Sequence, residues 1–130
     1  MSKKTFYSLE FDFQASPQLL FQYLSTPSRL SEWFADNVNS RGERFVFIWD
    51  DSEEEAKMIQ SKNNERVRFQ WMNDEENSED YYFEFMIQVD EITKDLSLII
   101  SDYSDDDELE ESKLFWRSLI ADLKQVLGSS

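Results

Sequence analysis

Apolar residues fall at every second position over Thr5–Phe13, where Tyr7, Leu9, Phe11 and Phe13 share one face and mostly polar residues lie between them. That period predicts a half-buried strand. The spacing then changes: Ser16 before Pro17 is an N-cap followed by proline at the first helical position, and Leu19, Leu20, Tyr23 and Leu24 recur at helical intervals. Thr26 precedes Pro27, whose ring pushes it out of the helical region, so this helix ends there. A second short helix is expected from about Pro27, with Leu30, Trp33 and Phe34 on one side.

Strand-like alternation returns downstream. Phe45, Phe47 and Trp49 share a face over Arg44–Asp50, and Glu54–Ser61 predicts a weaker strand around Met58. Over Glu65–Met72, Val67, Phe69 and Trp71 alternate with Arg66, Arg68 and Gln70. Asp80–Val89 carries Tyr81, Phe83, Phe85, Ile87 and Val89 at period two, and Asp95–Tyr103 carries Leu96, Leu98 and Ile100. Short polar connections make antiparallel hairpins the expected links. A last helix is expected from about Asp107 to Leu127, with a stripe of Leu109, Trp116, Leu119, Ile120, Leu123 and Leu127, and Gly128 as its stop. The order predicts an α+β domain: six antiparallel strands curve around one long C-terminal helix, with two short helices after the first strand.

Composition narrows this picture. The 130 residues are enough for one core, so a single domain over 1–130 is expected, with an ordered part of about 5–127. With 40% hydrophobic and 15% aromatic residues, a folded chain is expected despite the charge. There is no cysteine, hence no disulfide, thiolate nucleophile or cysteine-bound metal. There is no histidine either, which removes the commonest general base and transition-metal ligand. Met1–Thr5 runs into the first strand without an apolar signal-peptide core, and no window is apolar enough to span a bilayer, so a cytoplasmic address without membrane insertion is expected. The net charge of −15 repels phosphate backbones and anionic membranes. Arg44, Arg66 and Arg68 near aromatic residues could mark an RNA-binding sheet, but the overall charge and the lack of a glycine-aromatic strand motif favour cross-strand pairs with acids.

The residues Ser16-Pro17, Leu20–Ser25, Pro27, Leu30 and Trp33-Phe34, followed by the strand meander and a terminal helix carrying Trp116, resemble the START-like superfamily, also called Bet v 1-like or SRPBCC. The resemblance is to its short bacterial branch, which includes the heat-shock ATPase activator domains. It implies a helix-grip fold in which the two short helices form a V that supports the long helix and closes one end of the grip, with Trp33 and Phe34 as the plug. It also implies a cavity between sheet and helix for a lipid-like, sterol, quinone or polyketide ligand. It does not imply catalysis, and the histidines of the superfamily's oxygenases are missing here.

Three acidic runs, Asp50–Glu55, Asp74–Asp80 and Asp105–Glu111, hold more than half of the 28 acids. Alternate turns of a meander share one end of the sheet, so all three are expected at one end, with Ser61–Asn64, Thr93-Lys94 and Arg41 at the other. In the resembled fold the acidic end is the cavity mouth. Such a rim favours neutral or cationic entrants, or a basic protein partner. The plainer account is solubility, protection of the hairpins and complementation of the last helix's positive N-terminus. Asp105–Glu108 lacks the spaced ligands and glycine of a calcium loop.

The candidate cavity lining comprises Phe11, Phe13, Trp33, Phe34, Phe45, Phe47, Trp49 and Phe69 from the first half of the chain. From the second half it comprises Trp71, Phe83, Phe85, Ile87, Leu98, Ile100, Trp116 and Ile120. Side chains of this size either line a pocket or fill it. Asp102 and Tyr103 are the one carboxylate and hydroxyl expected at the mouth as an acid/base pair, but no nucleophile-and-base constellation accompanies them. The expected function is therefore a non-catalytic module binding a small apolar ligand between sheet and C-terminal helix, with no cofactor. The alternative is a protein-interaction or chaperone-activator-like module without a ligand.

Overall fold

The computed structural model describes residues 4–50, 52–72 and 81–128. Strand β1 (Thr5–Phe13) leads into helices α1 (Pro17–Ser25) and α2 (Pro27–Leu30). Strands β2 (Asn37–Arg41), β3 (Arg44–Trp49), β4 (Ser52–Lys62), β5 (Arg66–Trp71), β6 (Tyr82–Val89) and β7 (Leu96–Ser104) follow. A 3₁₀ turn (Asp106–Glu108) then opens helix α3 (Leu109–Leu127). The strands form one antiparallel sheet in the order β1-β7-β6-β5-β4-β3-β2.

The expected sheet of six strands is corrected to seven. The added strand, β2, is an edge strand in which Val38 alone is buried, so its sequence Asn-Val-Asn-Ser-Arg shows no apolar alternation. It exists because Gly42, at φ 61°, lets the chain reverse between the paired residues Arg41 and Arg44. The expected helix entry is present: Ser16 is extended at φ −74°, ψ 149°, and its Oγ accepts from Leu19 N–H at 3.1 Å. Thr26 is extended at φ −109°, ψ 142°, which separates α1 from α2. Gly128, at φ 70°, ends α3.

The face of the sheet under the helices is aromatic. Phe47, Phe69, Phe83 and Phe85 are fully buried, together with Leu98 and Ile100 from β7. Ala56, wholly buried opposite Phe45 and Trp71, is the small residue that makes room for them. Phe34, in the chain between α2 and β2, enters this layer from above. Its ring stacks on Phe83 at 5.6 Å and on Trp116 of α3 at 5.8 Å, and meets Phe47 edge-on at 5.0 Å.

Three indole N–H groups lock the elements around that ring. Trp33 Nε1 donates to Tyr23 O of α1 at 2.8 Å, Trp49 Nε1 to Phe34 O at 3.1 Å, and Trp116 Nε1 to Asp102 Oδ2 of β7 at 2.9 Å. On the other face, Arg68 meets Glu84 at 2.7 Å across the β5–β6 pair, and Arg44 meets Glu55 at 2.7 Å. These arginines are thus engaged by acids of neighbouring strands.

The registers put the β3–β4 connection and the β7–α3 connection at one end of the sheet, where β1 begins. The acidic stretches around Asp50 and Asp105–Glu111 lie there, while Asp51 and the run Asp74–Asp80 lie outside the described residues. Glu110 and Glu111 occupy the first turn of α3, where negative charge is favoured by the helix dipole.

Replacing Phe34 with alanine removes a ring shared by the sheet, α3 and the segment before β2. A loss of about 3–5 kcal/mol in urea unfolding is expected. Ile92→Ala, at a side chain 91% exposed, is expected to change stability by no more than about 0.5 kcal/mol. Equal costs for the two would mean that the stack does not hold the fold together.

Candidate functional site

The predicted lining residues are brought together, and most of them touch one another. Phe45, Phe47, Phe69, Trp71, Phe83 and Phe85 form a continuous set of ring contacts with centroids 4.9–6.5 Å apart. Ile87, Leu98, Ile100 and Ile120 are buried in the same cluster. Phe13 lies toward the C-terminal end of α3, with Lys124 Nζ 5.3 Å from its ring, and Phe11 is partly buried against the cluster.

Trp33 and Phe34 are buried and Trp49 is partly buried, yet all three border a second space. They form one side of an open groove of about 610 Å³, whose other side is Phe115, Leu119, Asp122, Gln125 and Val126 of α3. Ser31, Glu32, Ala35 and Asp36 complete it. The size is that of ordinary small-molecule sites. The chain between α2 and β2 must descend to insert Phe34, and Trp49 pins it by donating its indole N–H to Phe34 O, so a furrow remains between that chain and α3. Phe115 is 51% and Val126 38% exposed, which leaves an apolar strip on the helix facing solvent.

The α3 residues of the groove were not among the sequence-based candidates. Their signal was a second apolar row, Phe115, Leu119 and Val126, one step round the helix from the core row Trp116, Ile120, Leu123 and Leu127. A helix with one face for the core and an adjoining apolar strip has more apolar surface than the sheet can cover.

Asp102 and Tyr103 do not form a pair at the mouth. Neighbours on a strand point to opposite faces, so Asp102 lies under α3, while Tyr103 lies on the other face against Phe6 at 5.2 Å and Tyr82 at 5.3 Å. Asp102 accepts from Trp116 Nε1 at 2.9 Å and from Tyr103 N–H at 2.7 Å, so both oxygens are engaged. Its cross-strand partner Tyr7 bonds to Ser112 of α3. Burial raises the Tyr7 hydroxyl from 10.0 to about 12, and the Asp102 charge adds to that rise. Burial likewise raises Asp102 from 3.8 to about 6, opposed by the Trp116 and Tyr103 hydrogen bonds and by Lys4. Sequence reasoning had a cue to this cluster: Asp102 continues the inward series Leu96, Leu98, Ile100, and an acid at an inward position needs buried partners.

At the acidic end, a depression of about 380 Å³ lies among Lys4, Tyr103, Asp105, Glu108, Glu111 and Ser112. The Tyr7–Ser112 and Asp102–Trp116 bonds join sheet to helix at this end. Among the described residues, no group of three or more acids is placed to hold a metal ion, and no helix is long and apolar enough to cross a membrane.

Because the folded protein holds the Asp102 proton to higher pH than the unfolded chain does, its contribution to stability is complete below about pH 4 and is lost as pH rises through about 6. The move from 3.8 to about 6 corresponds to about 3 kcal/mol at ~1.4 kcal/mol per tenfold. Urea unfolding of wild type and Asp102→Asn at pH 4.5 and 7.5 should show the wild type gaining about 2 kcal/mol on the variant at the lower pH. A difference unchanged between the two would mean that Asp102 titrates as an ordinary carboxylate.

Comparison with known proteins agrees with this architecture. A solution structure of BfR322 from Bacteroides fragilis is 30% identical, with 96% of this chain and 92% of that chain covered and a TM-score of 0.67. The Aha1 dimer from Colwellia psychrerythraea is 18% identical with a TM-score of 0.81, over 95% of this chain and 96% of that one. CalU16 from Micromonospora echinospora is 11% identical with a TM-score of 0.71, over 95% and 76%. No curated protein matches the sequence. The model of the START-like superfamily domain matches residues 1–129, and the chain belongs to that superfamily.

Proposed function

We propose that this protein is a non-catalytic binding module that holds a small apolar ligand in the groove between α3 and the Trp33–Asp36 segment, with Trp49 at the sheet end. The observation that carries this is the groove itself: about 610 Å³, with Trp33, Phe34 and Trp49 on one side and Phe115, Leu119 and Val126 on the other. The superfamily's fold is compatible with ligand binding between sheet and helix. In this chain the layer between them is occupied by Phe34 stacked on Phe83 and Trp116, so a ligand entering there must displace rings that hold the fold. The groove reaches the same two elements without that cost. Its mixture of fixed aromatic rings and half-exposed aliphatic groups suits an apolar body bound from one side.

The neutral fluorophore N-phenyl-1-naphthylamine tests this. It is expected to brighten on binding the protein and to quench tryptophan emission, and Phe115→Glu is expected to weaken its affinity by about tenfold, the equivalent of ~1.4 kcal/mol. Phe115 is half exposed, so the variant's unfolding midpoint should stay near that of the wild type. No binding by the wild type, or equal binding by a folded Phe115→Glu protein, would overturn the groove as the site.

A further inference from the structure

The charges around the groove define the class of ligand more narrowly. We infer that the groove selects amphiphiles with a cationic head group, held by Asp36 and Asp122 while the apolar body lies against Trp49 and Phe115. This rests on the groove being the site proposed above.

The residues that form the groove include three acids, Glu32, Asp36 and Asp122, and no lysine or arginine. The acids are not equivalent. Glu32 Oε2 is bound by Arg29 at 2.9 Å, and that guanidinium also lies 5.0 Å from the Tyr23 ring, so Glu32 is already matched and its cation is held on α1 and α2. The side chains of Asp36 and Asp122 make no hydrogen bond or ion pair among the described residues, and both residues are exposed. They stand on the two walls, one in the segment before β2 and one on α3. A cation in the groove therefore finds two unmatched carboxylates.

The aromatic walls act in the same direction. Trp49 borders the groove and is held in place by its bond to Phe34 O, and a fixed aromatic ring beside a cation site favours positive over negative charge. An anionic head such as a fatty-acid carboxylate meets two like charges in the groove and a net protein charge of −15 beyond it. A neutral ligand gains the apolar contacts alone.

Two exposed ion pairs, with or without a cation–π contact, amount to about tenfold in affinity. Three probes with the same eight-carbon tail separate the possibilities: octyltrimethylammonium, octyl glucoside and octanoate, each below its micelle concentration. Binding is read from the indole N–H signals of Trp33 and Trp49 in ¹⁵N-labelled protein at moderate salt. Octyltrimethylammonium is expected to bind about tenfold more tightly than octyl glucoside, and octanoate more weakly than either. In the Asp36→Asn/Asp122→Asn variant the cationic and neutral probes should converge, with octyl glucoside unaffected. If the cationic and neutral probes bind wild type equally well, or octanoate binds best, the selectivity is overturned while the groove stands as an apolar site. If the cation's advantage survives in the double variant, Asp36 and Asp122 are not its partners. If none of the three shifts either indole, the groove itself fails as the site, and the selectivity falls with it.

Discussion

The ring of Phe34 is held between Phe83 of the sheet and Trp116 of the long helix, at 5.6 and 5.8 Å, and every layer of the molecule meets there. A sheet with one aromatic face and a helix with one apolar stripe must cover each other. Here their covering surfaces are kept apart by an inserted ring and joined through it. Each such contact contributes about 0.5–1.5 kcal/mol beyond burial itself. The larger effect is geometric, because close packing leaves the neighbours few alternative arrangements. The segment between α2 and β2 is short, so placing Phe34 at this point also sets where β2 begins and how α2 lies.

Polar groups near this layer are organised by the same demand. An indole N–H removed from water needs an acceptor, and Trp33, Trp49 and Trp116 each find one on a different element. The tryptophans therefore supply apolar bulk and directional links together. Asp102 is the costly member of this set. Its charge is destabilised by burial, and the bonds from Trp116 and Tyr103 offset only part of that. The carboxylate is spent on fixing α3 to β7, which leaves its oxygens engaged and its neighbour Tyr103 on the far face.

Much of this architecture was legible in the chain because it rests on strong local periods. The ends of β1 and α1, the break at Thr26-Pro27 and the stop at Gly128 all follow from alternation, proline or glycine, each of which acts within a few residues. What was illegible depends on contacts distant in sequence. Asn37–Arg41 is a strand because β3 offers it an edge to pair with, and its own residues, apart from Val38, carry no apolar signal. Ala56 reads as a neutral residue until Phe45 and Trp71 are set opposite it. The list of aromatic candidates could not distinguish rings that line a space from rings that fill it, since that depends on the one side chain, Phe34, inserted from outside the sheet. The groove was hidden for the same reason. Its two walls are about eighty residues apart in sequence.

Insertion of Phe34 between sheet and helix and formation of the groove are consequences of one event. When Phe34 enters between Phe83 and Trp116, its backbone is drawn down to Trp49, and the chain on either side, Trp33 and Ala35-Asp36, is left as a wall beside α3. A helix-grip domain that keeps its interior open can carry apolar cargo inside, where polarity at the surface matters only during entry. Here Phe34 takes up part of the space between sheet and helix, and an apolar strip on the outer side of α3 adjoins charge. In a chain of net charge −15, the surviving apolar strip of Phe115, Leu119 and Val126 lies next to carboxylates. On the proposed reading, selection by charge is part of binding itself, because the same groove would hold the tail and meet the head.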